Sequence, residues 1–181
     1  LEFRKKGFCY VKCEHCSFVY TNPRPKPDLL QEFYSNSEVY RYWSENIYKA
    51  TSDNRRKYLF RPRAELLVQR CKEMAFEDAV LVEVGSSQGV FCDEIRSLNF
   101  FDRIIGIEPT PDQAKVSIEN GIETHQLSYE NFVIDRKIHA IASFETIEHL
   151  FSPLDFAFFF GALPPSQASF TSGVEGSSAT S

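Results

Sequence analysis

The chain has 181 residues, 43% of them hydrophobic and 25% charged, and a formal net charge of -5 at pH 7. That is enough chain to bury one sizeable core with a small appendage, and an acidic balance speaks against a nucleic-acid partner. No apolar run reaches the roughly 20 residues of a membrane span, the Phe156 to Phe160 cluster being far too short, and the charged start is unlike a secretory signal; a cytoplasmic protein with no membrane partner is the expectation.

Residues 1–27 carry three of the five cysteines, Cys9, Cys13 and Cys16, whereas Cys71 and Cys92 stand alone in apolar surroundings and read as buried thiols. The two-residue gap of Cys13-Glu14-His15-Cys16 is that of a zinc knuckle, a turn tight enough to point two thiolates at one tetrahedral ion. One such pair is half a structural zinc site; either Cys9 and His15 complete it, or a second pair lay before Leu1. The spacing Cys9-x3-Cys13-x2-Cys16 also matches that of a [4Fe–4S] cluster in radical enzymes. Those enzymes wrap a barrel around the cluster, and this chain is too short for one. Tyr10 to Tyr20 reads as a hairpin, closed by Pro23, Pro25 and Pro27, none of which suits a regular ladder.

Residues 28–76 read as an aromatic and helical cap. Asp28 can cap a short helix through about Tyr34. Tyr34 to Tyr48, with Tyr40, Tyr42 and Trp43, lacks periodicity and is expected to be irregular or to form short helices. Arg55 to Phe76 is helix-forming, with Pro62 marking its start or a kink. The basic run Arg55-Arg56-Lys57-Tyr58-Leu59-Phe60-Arg61-Pro62-Arg63 suits a solvated helix face or, alternatively, substrate phosphates.

From residue 77 the pattern alternates. Strands are predicted at Ala79 to Val84, Arg103 to Glu108, Ile122 to His125 and Ile138 to Ser143, with a fifth near Ala168 to Thr171. Helices are predicted at Val90 to Leu98, Asp112 to Asn120, Tyr129 to Phe132 and, capped by Ser152, Pro153 to Phe160. This rhythm implies an α/β fold, a parallel sheet covered on both faces and spanning 77–172. The small polar tail 173–181 is expected to be disordered. With Leu1 in place of a methionine, both ends read as cut from a longer protein.

Two features of this core carry chemistry. In Glu83-Val84-Gly85-Ser86-Ser87-Gln88-Gly89 an apolar strand enters a glycine turn, and about twenty residues on, Ile104-Ile105-Gly106-Ile107-Glu108-Pro109 ends in an acid. Such a pair suits a nucleoside ligand: the loop wraps it and Glu108 takes the ribose hydroxyls. The G-x-G-x-x-G pattern of dinucleotide folds fails, since Ser87 replaces the second glycine and Val90 the third. An acid at Glu83 repels a pyrophosphate but suits a ligand bearing an ammonium and a sulfonium, which favours S-adenosylmethionine over NAD. After the fourth strand, Glu145-Thr146-Ile147-Glu148-His149 sets two acids three apart beside an imidazole. On a helical turn Glu145 and Glu148 share a face. His149, with Glu148, then serves as general base, or Glu145, Glu148 and His149 hold a divalent ion, or all three are solvated.

The chain resembles the class I S-adenosylmethionine-dependent methyltransferases in Glu83 to Gly89, in Ile105 to Pro109, and in Ile141-Ala142-Ser143-Phe144-Glu145-Thr146-Ile147-Glu148-His149-Leu150, about residues 79 to 160 in all. The resemblance implies a Rossmann-like three-layer sheet. It also implies that Glu83, Gly85, Ser86, Ser87 and Gly89 hold the methionine part and Glu108 with Pro109 the ribose. Ser87 stands where the family's middle glycine would be, and Gln126, between His125 and Leu127, stands in place of its adenine-side acid. Upstream, Tyr10 to Pro23 resembles the second half of the zinc module carried by a subset of these enzymes, and Phe33-Tyr34 with Tyr42-Trp43 the segment that covers their pocket. That subset includes methyltransferases of nucleotide-linked sugars, so a small hydroxylated or sugar-like acceptor is implied. Glu145, Glu148 and His149 resemble the Glu-x-x-Glu-His motif of metal-dependent O-methyltransferases of quinone or RNA-end type. Because the complete fold has further strands after the fifth, a truncated, inactive binding domain is the rival reading, and an open sheet edge predicts self-association.

Overall fold

In the computed structural model of the chain the described residues are 2–26, 28–29, 32, 38, 42–74, 76–153, 155–157 and 169–172, and the chain divides into two compact units, Leu1–Asn36 and Ser37–Ser181. In the first unit, Lys6 and Gly7 both take positive φ, 49° and 85°, the geometry of a two-residue hairpin turn whose twist matches its strands. They join β1 (Phe3–Lys5) to β2 (Phe8–Lys12), and β2 pairs antiparallel with β3 (Val19–Thr21). The β2–β3 hairpin is the one the sequence predicts; β1 is additional. Phe3 opposes Tyr10 across the first ladder and their rings stack with centroids 4.6 Å apart, the kind of cross-strand pair that stabilises small sheets.

Of the short helix predicted from Asp28, only Asp28, Leu29 and Glu32 are described, each helical; Phe33, Tyr34 and Tyr40 lie outside the described residues, as do Phe158 to Phe160 and the tail 173–181. In the second unit helix is present at Tyr42 and onward, within the stretch expected to be irregular or to form short helices. A wide π winding at Trp43–Tyr48 leads into α1 (Lys49–Arg55), a second π winding at Arg56–Phe60 and α2 (Arg61–Lys72). Side chains bonding back one turn, Asn46 to the Tyr42 carbonyl at 3.0 Å and Thr51 to that of Ile47 at 2.7 Å, accompany the first winding where apolar periodicity is lacking. Pro62 has no N–H to continue the ladder, and the widened turn lies immediately before it.

The core follows as β4 (Val80–Val84), α3 (Val90–Ser97), β5 (Arg103–Ile107), α4 (Pro111–Glu119), β6 (Glu123–His125), a 3-10 turn at Tyr129–Asn131, β7 (Ala140–Ser143), a second 3-10 turn at Ile147–His149, and β8 (Ser169–Ser172). Pro153 and Asp155, Phe156 and Ala157 are helical. The sheet runs β6-β5-β4-β7-β8 with every neighbouring pair parallel. β4 is buried at every position, as a central strand covered on both faces must be. Leu81 packs with Ala64, Leu67, Val68 and Cys71 of α2 and Phe91 and Ile95 of α3. Val80, Val82 and Val84 pack on the other side with Ile105, Ile107, Tyr129, Phe132 and Phe156. This is the predicted Rossmann-like, three-layer α/β architecture.

The basic run turns out to tie this scaffold together. Arg56 Nη1 donates to Asp93 at 2.5 Å and to Glu94 at 2.7 Å, and Arg61 bonds Ser97 at 2.7 Å and Glu65 at 2.7 Å. The pairs pin the linker helix to α3, and Glu94 is nearly buried beneath them. Cys71 and Cys92 are fully buried, as their surroundings predict.

Candidate functional site

Strand order reverses between β4 and β7: from β4 the chain moves outward to β5 and β6, then returns to β7 on β4's other side. Open α/β sheets bind ligands at the carboxyl ends of the strands flanking such a point. The loop 85–89 and the turn 144–149 both leave the sheet there. Gly85 (φ 76°) cannot carry a side chain: its φ is left-handed, and a Cβ would collide with the Thr146 hydroxyl. Gly89 (φ 75°) opens α3, and a Cβ on it would strike Ser117 of α4. Ser87 and Glu145 also take positive φ, 50° and 52°, without being glycine. Such strained backbone clusters where a ligand is gripped.

Hydrogen bonds hold the loop in place. Gly85 N–H and Ser86 N–H both donate to the Ile107 carbonyl, at 2.8 and 3.1 Å. The Ser143 hydroxyl donates to the Val84 carbonyl at 3.0 Å, which joins the two crevice walls. Glu108 is buried and accepts from Ser87 N–H at 2.8 Å through one oxygen and Thr110 N–H at 2.8 Å through the other. Burial raises its carboxyl above the usual range, against the pull of these donors. A carboxylate accepts about four hydrogen bonds, so capacity remains for ligand hydroxyls. The Ser87 hydroxyl in turn donates to Gln113 Oε1 at 3.0 Å. Gln113 is a loop-holding residue that no motif signals.

The other predicted residues fall into two groups. Glu83 is 3% exposed and lies on the helix side of β4, where Cys92 Sγ donates to it at 3.0 Å; burial pushes its carboxyl up to about 8. Ser86 is buried too, and its hydroxyl has no hydrogen-bond partner among the described residues. Pro109 and Gln126 are exposed beyond the ends of β5 and β6. Glu145 precedes the 3-10 turn that carries Glu148 and His149, so the two acids do not share a helical turn. His149 Nε2 stands 3.8 Å from Glu148 Oε1, both side chains about half exposed.

Among the described residues, no three His, Cys, Asp or Glu side chains come together to hold a metal. Cys9 and His15 therefore do not complete a zinc site with Cys13 and Cys16, and Glu145, Glu148 and His149 do not form a divalent-ion site. Backbone hydrogen bonds from Cys16 and His15, and a side-chain bond from Cys16, lower the pKa of the Cys13 thiol. Two sulfurs are half of a four-ligand site. No helix among the described residues is long and apolar enough to cross a membrane.

No family model matches the chain, and no curated protein matches it in sequence. Solved structures do match. The plantazolicin methyltransferase BpumL in complex with SAH superposes with a TM-score of 0.52 at 13% identity, over 78% of this chain and 57% of that one. A S-adenosylmethionine-dependent methyltransferase from Clostridium acetobutylicum ATCC 824 gives 0.53 at 12% identity, over 73% of this chain and 54% of that one. The chain thus spans little more than half the length of either. At such identity the likeness is one of fold, and it agrees with the strand order and crevice described above: the second unit has the Rossmann-like fold of class I methyltransferases.

Proposed function

We propose that the chain binds S-adenosylmethionine at the β4–β7 crevice and belongs to an enzyme that transfers its methyl group to a small acceptor. The observation that carries this reading is Glu108, a buried acid at the end of β5 that fixes the adjoining glycine loop while keeping acceptor capacity for ribose hydroxyls. The site fits the cofactor in other respects as well. The glycine at 85 keeps the loop free of a side chain opposite Thr146, and the Ser86 hydroxyl is a buried polar group without a hydrogen-bond partner among the described residues.

The bound sulfonium supplies an already activated methyl group. The protein's task is then orientation, since in-line transfer depends on alignment more than on activation. Glu108 and the N–H-rich loop fix the nucleoside end. Glu148 and His149 stand in the turn after β7, half exposed, where an acceptor hydroxyl can reach the imidazole; we assign His149 the role of accepting its proton, with Glu148 orienting the ring. For the acceptor we propose a small hydroxylated or sugar-like molecule, including nucleotide-linked sugars. The resemblance of Tyr10 to Pro23 to the zinc-module subset and the chain's acidity support this class over nucleic acid. The Cys13–Cys16 pair alone does not fit a structural zinc ion, so no role is built on one.

Calorimetric titration of the chain with S-adenosylhomocysteine tests the cofactor reading. Micromolar binding is expected, weakened at least about tenfold by Glu108→Ala. A folded chain that does not bind would reject it and favour a binding domain without catalysis.

A further inference from the structure

The turn at residues 86–89 closes with Gly89 N–H donating to the Ser86 carbonyl at 2.9 Å, and its second position is Ser87 at φ 50°. A β-turn with positive φ there ordinarily takes glycine, and glycine is the residue the sequence resemblance implies at 87. A Cβ disfavours the left-handed region by roughly tenfold, so something must hold this serine in place.

Gln113 is the residue that does so. It stands in the first turn of α4, is 5% exposed, and its Oε1 accepts from the Ser87 hydroxyl at 3.0 Å. A hydrogen bond of this kind is worth about fivefold in an equilibrium, the same order as the strain it opposes. The start of α4 is in turn tied to Glu108. Thr110 N–H donates to Glu108 Oε1 at 2.8 Å, and Ala114 N–H donates to the Thr110 carbonyl at 2.9 Å. Ser87 N–H meets the other carboxylate oxygen, Oε2, at 2.8 Å. The turn is therefore fastened at two points, by its main chain to Glu108 and by its side chain to Gln113.

We propose that Gln113 is a positioning residue of the cofactor site, which holds Ser87 left-handed and through Ser87 keeps the Glu108 carboxylate aimed. This rests on the reading that the crevice holds S-adenosylmethionine. Without the Gln113 oxygen, the turn gains by relaxing Ser87 to a negative φ. That relaxation carries the Ser87 N–H off Glu108, which then loses one of the two donors that orient it. A glycine at 87 needs no such hold, because a left-handed φ costs it nothing. Ser87 and Gln113 thus act as a pair, this chain's substitute for a glycine in the turn.

The test is calorimetric titration of the whole chain with S-adenosylhomocysteine, with circular dichroism to establish folding. Gln113→Met keeps the length of the side chain and removes the acceptor, and is expected to raise Kd about fivefold. Adding Ser87→Gly to that variant is expected to lower Kd again by at least about threefold, since the residue that needed holding is gone. Ser87→Ala reads the same bond from its other end. It should weaken binding at least as much as Gln113→Met, and the two together should be no weaker than Ser87→Ala alone. A folded Gln113→Met that binds as tightly as the wild type would overturn the proposal. So would an added Ser87→Gly that recovers nothing, because Gln113 would then act by packing α4 and not through Ser87. Both of those outcomes leave the cofactor reading standing, whereas a folded wild type that binds nothing removes the two together. Should Gln113→Met alone fail to fold, the same change made on Ser87→Gly decides. A loss there under about twofold supports the proposal, and a larger loss or a second failure to fold overturns it.

Discussion

At the scale of single residues, the crevice is shaped by positions where a side chain cannot be added. Gly85 combines a left-handed φ with the Thr146 side chain where its Cβ would go. The backbone term alone costs an alanine roughly 1–2 kcal/mol, and the collision adds to it. Gly85→Ala is therefore expected to lower stability by about 2 kcal/mol or more. Adding Thr146→Ala should return the part due to the collision, because that change removes both side-chain atoms in the way. Chemical denaturation of the two variants checks this; a double variant no more stable than Gly85→Ala would show that the backbone strain is the whole cost. Glycines at 85 and 89 are visible to anyone reading the chain. Thr146, Gln113 and Cys92 are not, because each acts on a residue far away in sequence and no spacing rule links them.

At the scale of elements, the linker helix is the part that sequence reading understood least. Its basic run suited either a solvated face or bound phosphate; Lys57 and Tyr58 are exposed, but two of its arginines are engaged within the fold. Arg56 and Arg61 bond acids of α3, and the opposite face of α2 is buried against β4 and α3. Leu67 is fully buried there, so Leu67→Ala should cost about 2–5 kcal/mol, read as a lowered urea midpoint without a change in slope. A loss under 1 kcal/mol would mean that α2 is only loosely docked. The contribution of the exposed ion pairs is expected to be far smaller. The strands of the core sheet, in contrast, were legible to within a residue or two, since runs such as Val80-Leu81-Val82 are apolar on both faces and bounded by turn residues. The 3-10 turns were less so: Ile147–His149 replaces a helical turn, and with it the shared face expected of Glu145 and Glu148 is lost.

At the scale of the whole molecule, two buried titratable groups give opposite pH slopes. Glu83 in the folded chain titrates at about 8, raised by burial from 4.5. Between those values the folded state holds more protons than the unfolded one. Its contribution is thus complete below pH 4.5 and is lost as pH rises through about 8. His139, buried between the sheet and Phe76 and accepting from Val80 N–H at 3.0 Å, has its pKa lowered by burial. Its contribution is present above the ordinary value of 6.5 and fades as pH falls. Glu83→Gln should lessen the loss on the alkaline side, to which Glu108 also contributes because burial raises its carboxyl as well, while leaving the acid-side loss in place. Unfolding free energies measured from pH 5 to 9 on both proteins check this, and an unchanged alkaline slope in the variant would place its origin elsewhere.

The α/β class, the parallel sheet, the glycine loop and the acid after β5 all follow from the sequence alone, because hydrophobic periodicity and left-handed turns are local properties of the chain. What surrounds them does not. That Glu83 is paired with Cys92, that Glu108 holds the Ser87 loop, that among the described residues no three His, Cys, Asp or Glu side chains gather to hold a metal, and that Arg63 stands over Phe144 were decided only by tertiary structure. Each is a meeting of side chains separated in sequence, and both the desolvation that makes such meetings consequential and the geometry that permits them arise only when the core closes.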